Sequence, residues 1–443
     1  MKRNKLDYNP STSKKTEKPN LTIYFGIIMA TYSLGFVAMS AFSSFYLLGI
    51  GLSNSTVGIL LAVGSLLAVF LEPVVGALID RHSKVSTKYV LLILSGLMAV
   101  IGPVFILLSG KNLTVSTLLY GFCIMLLMLA QPILKTLGMD TLNSAYGLNY
   151  GVGAAMGSLG YAAGSYGFGI LSVKFGVPSI PVIFSIAFFI LSVGLFFYPV
   201  KKMPVPPGAH GTAFQTPDTQ SGAHGTASQP SEAPSARTKI GNPYLFLANY
   251  KKYAIMLIGL TLIYFSHTVI NTFSLQIITP KGGTSADMGT AAAIAAVCEL
   301  TTTLLFSFYM RKFKLSTLIK ISSIFFILKT LFSLLTKSVM TFFLIQGFQT
   351  FGWGLMAIGI VYYVDRLAND NDKAQAQAYA GMAGTIANVI ATAIGGKMID
   401  AFGVDMFVLI GTIAAGIGAI IIWITCEEQT SKTIEGETNE FKN

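Results

Sequence analysis

A few side chains in this sequence stand where a charge is expensive. Glu299 lies twelve residues before the basic run Arg311-Lys312, and Lys329 fourteen residues beyond Leu315, both inside long apolar stretches. At about 1.5 Å per helical residue, those spacings put them about 18 and about 21 Å along their stretches. A charged group at such depth costs about 2.5–3.5 kcal/mol unless it lines a cavity or finds a partner. Glu299 is therefore a candidate proton- or substrate-binding carboxylate, with a purely structural ion pair to Lys329 as the alternative. Their depths are compatible with such a pair. Glu72, eight residues before Asp80 and followed by Pro73, sits shallower, about 12 Å in. Structural or gating roles suit it better than substrate contact.

Around these charges the apolar stretches hold Tyr32, Gln131, Tyr150, His267, Asn271, Gln346 and Gln349 near their middles. Amides and phenols there could hydrogen-bond a neutral polyol or a base, or tie one helix to the next. His267 could titrate near neutrality, but alone on its segment it reads as a packed or lining residue. Trp353 could stack on a sugar or base face, or contact lipid or core. No cofactor or metal site is expected. His210 and His224 belong to two copies of a polar GAHGTA stretch, and Cys123, Cys298 and Cys426 have no metal-ligand spacing. The cysteines read as packing residues with no disulfide framework. Without a Walker-type glycine loop, zinc spacing or nucleophile–base pairing, an ATP-driven pump or a membrane enzyme is disfavoured.

The elements that must hold these groups follow from composition. The 443 residues are 53% hydrophobic and only 11% charged, against about 25% charged in soluble domains. Most of the surface must face a lipid bilayer. The net charge of +11 could suggest nucleic acid, but the basic residues lie in short interhelical loops and tails, as in a membrane protein. Apolar runs of about 20 residues, enough to span the hydrocarbon, begin near Leu21, Thr56, Tyr89, Ser116, Tyr150 and Pro178, then near Tyr253, Gly289, Leu315, Thr341, Ala376 and Met406. They are continuous rather than alternating and longer than the about 10 residues of a barrel strand, which argues against strands. Lys and Arg concentrate on the side of both chain ends and the central linker, predicting that these are cytosolic.

The divisions expected are an N-terminal tail over 1–20, retained rather than cleaved as a signal peptide, a six-helix half over 21–200, a linker over 201–249, a second half over 250–425 and a C-terminal tail over 426–443. The linker is rich in Pro, Gly, Ser and Thr, has little to bury and reads as flexible. Gly157, Gly169, Phe175 and Gly176 recur as Gly384, Gly396, Phe402 and Gly403, all displaced by 227 residues. Two homologous halves would leave such a signal. Gly153-x3-Gly157 and Gly160-x3-Gly164 predict faces for close helix packing.

The loop after the second run, Gly76-Ala-Leu-Ile-Asp80-Arg81-His82-Ser83-Lys84, resembles the signature loop of the major facilitator superfamily, with Ser83 replacing its usual glycine and Val85 a usual basic residue. In such a loop Gly76 would permit close helix approach, while Asp80, Arg81 and Lys84 would form gating charge contacts. Tyr146-Gly147, Gly157-Ser-Leu-Gly160-Tyr161-Ala162 and the whole second run are similar to the branch containing lactose permease and the nucleoside–proton symporters. The resemblance implies that Glu299 stands at that branch's essential eighth-helix glutamate and Lys329 near its ninth-helix arginine. It also marks departures. Gln346, Gln349 and Gly352 occupy the approximate places of a lysine, a histidine and a proton-carrying glutamate, and Tyr150 that of a sugar-binding arginine.

The expected protein is an all-α membrane protein with twelve transmembrane helices in two pseudo-symmetric halves. It would be a monomer in the cell membrane, moving a small polar metabolite, a sugar or oligosaccharide before a nucleoside, with protons by alternating access. A drug or metabolite exporter is the alternative. A flux-free sensor would need a larger tail.

Overall fold

The structure is a computed structural model in which residues 20–81, 86–108, 112–142, 147–199, 243–369 and 372–427 are described. Its long helices are α1 (Thr22–Phe36, continued by a π-helical turn Val37–Ala41 and the short helix Ser43–Gly49), α2 (Asn54–Arg81), α3 (Thr87–Leu108), α4 (Leu113–Leu142), α5 (Tyr150–Phe175) and α6 (Ser179–Phe197). The second half repeats the pattern with α7 (Lys251–Thr272), α8 (Ser285–Lys312), α9 (Leu315–Leu335), α10 (Val339–Gln346 and Trp353–Leu367, around the 3-10 turn Gly347–Gln349), α11 (Lys373–Phe402) and α12 (Val404–Thr425). Eleven of the twelve are long and apolar enough to cross a membrane. The twelfth, the glycine-rich α5, is 26 residues long. The protein is an all-α, multi-pass membrane protein.

Side-chain caps start several of these helices. Asn149 accepts the Val152 amide at 3.1 Å before α5, and Ser338 the Thr341 amide at 3.2 Å before α10. Thr284 and Asp287 form a reciprocal capping box at α8, satisfying amides that the first turn leaves without partners. At the other ends the repeat shows its physical reason. Gly176 (φ +70°) and Gly403 (φ +83°) terminate α5 and α11 in conformations that side chains rarely adopt.

The glycine face of α5 lies on α1, as the spacing predicts. A Cβ at Gly153 would meet Phe25, one at Gly157 Met29, and one at Gly160 the Ala30 backbone at 2.7 Å. The two halves then meet through matched glycine contacts at the end of the bundle remote from Leu21 and Cys426. Gly169 of α5 backs onto Ala286 at the start of α8, and its repeat counterpart Gly396 of α11 onto Asn54 at the start of α2. Polar groups reinforce this far end. Asp400 accepts the Ser55 amide at 2.8 Å, the Ser55 hydroxyl at 2.5 Å and the Asn54 side chain at 2.9 Å. Ser172 bonds Ser285 at 2.7 Å.

Among the described residues no such polar clamp joins the halves at the opposite end. Gly76, expected to permit close helix approach, has no atom within 4 Å of an added Cβ, so that expectation is corrected for this conformation. The halves are clamped at the far end, while Gly76 of α2 faces open space. Asp80 and Arg81 close α2, but their side chains, and all of Lys84, lie outside the described residues. So do positions 1–19, 201–242 and 428–443 of the expected tails and linker. Residues Pro243–Asn249, assigned to the linker from composition, are helical. Proline suits a first helical position, where its missing N–H costs nothing.

Candidate functional site

The break in α10 builds the site. Its regular α-helical bonding is interrupted between Gln346 and Trp353, leaving the Thr350 carbonyl to find an internal partner at membrane depth. The Thr302 hydroxyl of α8 donates to Thr350 O at 2.7 Å, and the Ser322 hydroxyl of α9 to Gly352 O at 2.7 Å, a carbonyl that also accepts the Met356 amide at 3.1 Å. The break directs Gln346, Gln349 and Trp353 toward a cavity of about 480 Å³ between the halves, within the roughly 300–1,000 Å³ usual for small-ligand sites.

Eight of the sequence-derived candidates line this cavity: Tyr32, Gln131, His267, Asn271, Glu299, Gln346, Gln349 and Trp353. Its second-half wall is a connected polar array. Lys329, 3% exposed, lies behind the lining, and its Nζ donates to Gln349 Oε1 at 2.6 Å and Asn271 Oδ1 at 3.3 Å. With its oxygen so engaged, the Asn271 amide nitrogen donates to His267 Nε2 at 2.7 Å. The His267 ring stacks on Trp353, centroids 4.2 Å apart and planes 6° from parallel. Half-buried Glu299 interacts with the Trp353 indole, the Gln349 amide and the Lys329 charge. Among the described residues no direct ion pair joins Glu299 to Lys329; Gln349 connects them.

The first-half wall is less polar. Tyr32 spends its hydroxyl on Leu127 O at 2.8 Å, so it offers the cavity mainly its ring. Met29, Phe36 and Phe42 add apolar surface, and Ser33 and Ser158 add hydroxyls. Tyr161 was missed as a lining residue, although it stands in the α5 motif. It shares a helical face with Ala154, Gly157 and Ser158, all of which line the cavity, and it senses Glu299 across it.

Two candidates stand elsewhere. Tyr150 is buried with its ring 5.7 Å from that of Phe25 and against Gly138, so it packs α5 on α1 and α4 rather than facing the cavity. Its place in the first turn of α5 leaves it too close to the bundle end. Glu72 interacts with Lys135 of α4. Lys135 went unnoticed in the sequence, yet it is an ionisable group in an apolar run, the same signal that singles out Glu72.

The sequence matches the MFS_1 like family over residues 26–409. The chain belongs to that family of major facilitator transporters. Its fold is similar to the nucleoside transporter NupG (TM-score 0.70, 14% identity, 92% of this chain and 98% of that one). It is also similar to a D-xylose-proton symporter (TM-score 0.63, 14% identity, 93% and 99%) and to a bacterial homolog of the human lysosomal transporter Spinster in an inward-facing, unoccupied conformation (TM-score 0.66, 12% identity, 91% and 96%). No curated protein matches the chain. Family and fold make this a small-molecule transporter rather than an enzyme.

Proposed function

We propose that the protein is a proton-coupled symporter for a small, hydroxylated, ring-bearing metabolite, a sugar or a nucleoside. The observation that carries this reading is the position of Glu299, a carboxylate on the cavity wall beside the stacked His267–Trp353 pair. A flat ring can lie against that aromatic surface while its hydroxyls or ring nitrogens engage Asn271, Gln346 and Gln349. Glu299 is the proton carrier, and Lys329 acts on it through Gln349, so that protonation alters the hydrogen bonding offered to the substrate. Likeness to a nucleoside transporter and a D-xylose-proton symporter supports this substrate range.

In this reading the protein is a monomer in the cell membrane with both chain ends cytosolic. The far-end clamp is then the external gate, and this conformation faces inward. The two halves rock about the cavity to expose it alternately.

Uptake of labelled sugars and nucleosides into protein-loaded vesicles under an imposed proton gradient tests the proposal. One of them is expected to accumulate, and Glu299→Gln to abolish gradient-driven accumulation. Full accumulation by that variant would remove Glu299 from the mechanism. Thermal stabilisation of the purified protein by lipophilic cations, and by no sugar or nucleoside, would turn the reading into that of an exporter.

A further inference from the structure

At the far end, each half carries the same joint between its first two helices. α1 breaks at Phe42 (φ −94°, ψ 13°) and restarts as the short helix Ser43–Gly49. α7 breaks at Phe273 (φ −106°, ψ 24°) and restarts as Ser274–Ile278. The two joints correspond residue for residue, 231 positions apart: Phe42-Ser43 matches Phe273-Ser274, and Gly51 (φ +94°) matches Gly282 (φ +80°). Ser53, which accepts the Thr56 amide at 3.2 Å, matches Thr284, which accepts that of Asp287 at 3.5 Å. Just before its break α1 winds as the π-helical turn Val37–Ala41, a distortion frequent at functional sites.

The two short helices hold the halves together through neutral groups. Gln276 donates its amide to Ser44 Oγ at 3.1 Å and to Asn54 Oδ1 at 3.0 Å. The Ser44 hydroxyl donates to Thr272 O, at the broken end of α7, at 3.3 Å. Among the described residues Gln276 Oε1 is buried without a partner, which weakens this contact. The neighbouring clamp is stronger, since Asp400 brings a carboxylate and three shorter bonds. Two closures of unequal strength thus lie side by side. Ala41, Phe42, Ile270 and Ser274, which flank the two breaks, line the cavity, so the weaker closure is the cavity's own roof.

We propose that the two short helices are a gate of their own, swinging on Phe42 and Phe273 over the cavity, and that Gln276 is the catch that holds them shut. This gate can part without separation of the halves. In the inward-facing reading given above, the catch keeps the cavity from opening to both sides at once. Such a gate serves any cargo, with or without protons.

The test reads the gate and the halves separately, in full-length protein whose native cysteines, Cys123, Cys298 and Cys426, are replaced. Ser33→Cys, on the cavity wall, reports entry of an impermeant thiol reagent from the far side of the membrane. Spin labels on Lys174→Cys and Lys397→Cys, one exposed far-end site on each half, report the distance between the halves by pulsed electron spin resonance. Gln276→Leu with Ser44→Ala should raise the labelling rate about tenfold and leave the distance unchanged. Gly396→Val, which acts on the clamp, should raise labelling and lengthen the distance. Should the double variant not fold, Gln276→Leu alone serves, with a smaller expected rise. Labelling that stays at the parent rate in the catch variants, or that rises only as the halves move apart, would overturn the proposal.

Discussion

Lys329 Nζ donates to Gln349 Oε1 across 2.6 Å, with both residues buried. That contact fixes the amide the other way round for Glu299, because an oxygen held by an ammonium leaves the NH2 group to face the carboxylate. Two opposite charges thus communicate through a neutral amide.

Gln349→Leu removes the acceptor and leaves Lys329 with Asn271 alone. Hydrogen bonds to charged groups contribute about 1.5–3 kcal/mol, and stability of the purified protein should fall by about that amount. The loss should appear as a lower thermal midpoint at neutral pH, together with impaired gradient-driven uptake. A variant as stable as the parent would mean that water or another side chain takes over the bond.

The aromatic platform makes a separate prediction. Trp353→Ala removes the ring on which His267 stacks, whereas Trp353→Phe keeps a flat surface. Aromatic pairs contribute about 0.5–1.5 kcal/mol beyond their buried area, so the alanine variant should bind the transported substrate about 2- to 10-fold more weakly. The phenylalanine variant should fall between it and the parent. Equal affinities, measured by ligand titration of thermal stability, would remove the platform from substrate recognition.

At the far end, a Cβ on Gly396 would lie 1.9 Å from Asn54 O, and one on Gly58 2.1 Å from Thr392 O. Gly396→Val should prevent this end from closing without unfolding either half, because the contact lies between the halves. Asp400→Ala, which loses three hydrogen bonds to α2, should shift the balance more mildly, by about tenfold toward the state open there. A cysteine introduced at Ser274, on the cavity wall, reports the change. Its labelling by an impermeant reagent from the far side should rise in both variants.

Cys426, at the opposite end, makes a separate prediction. Burial pushes its thiol up to about 11, against smaller opposing effects from the Tyr363 hydroxyl and the Lys320 charge, and the residue is 1% exposed. The thiolate is the reactive form, so a raised pKa means less of it at a given pH: roughly one thiol in a thousand at pH 8. Its alkylation should be slow at neutral pH and quicken about tenfold per unit toward pH 10, as mass spectrometry of the folded protein can follow. A pH-independent rate would show that access alone is limiting.

Much of the fold was legible because lipid imposes it. Continuous apolar runs can cross a membrane only as helices with their backbone groups paired internally, and the expected starts near Leu21, Thr56 and Tyr89 fall within two or three residues of Thr22, Asn54 and Thr87. The 227-residue glycine repeat carried real geometry, since Gly169 and Gly396 sit at matched interfaces between the halves. The site was legible at the level of residue type. Glu299, His267, Asn271 and the two glutamines declared themselves by being polar at depth, and the cavity gathers them. Their wiring was not. Nothing in the order of residues says that Gln349 stands between Glu299 and Lys329, because that depends on where α10 unwinds. Tyr150 misled for a similar reason: a phenol at the start of an apolar run looks the same whether it faces a cavity or packs on Phe25 and Gly138.

The unwound stretch of α10 is bonded on one side to Thr302, three residues from Glu299, and on the other to Ser322, seven residues before Lys329. Carboxylate, amide and ammonium therefore share a single mount. In the proposed rocking of the halves, a tilt that carries any of these three helices carries the others, which preserves their mutual spacing. The separation left free to vary is the one across the cavity, from Glu299 to Tyr161 on the other half. In the proposed mechanism Glu299 travels with its partners, and the rocking of the halves is felt there as an approaching or receding phenol.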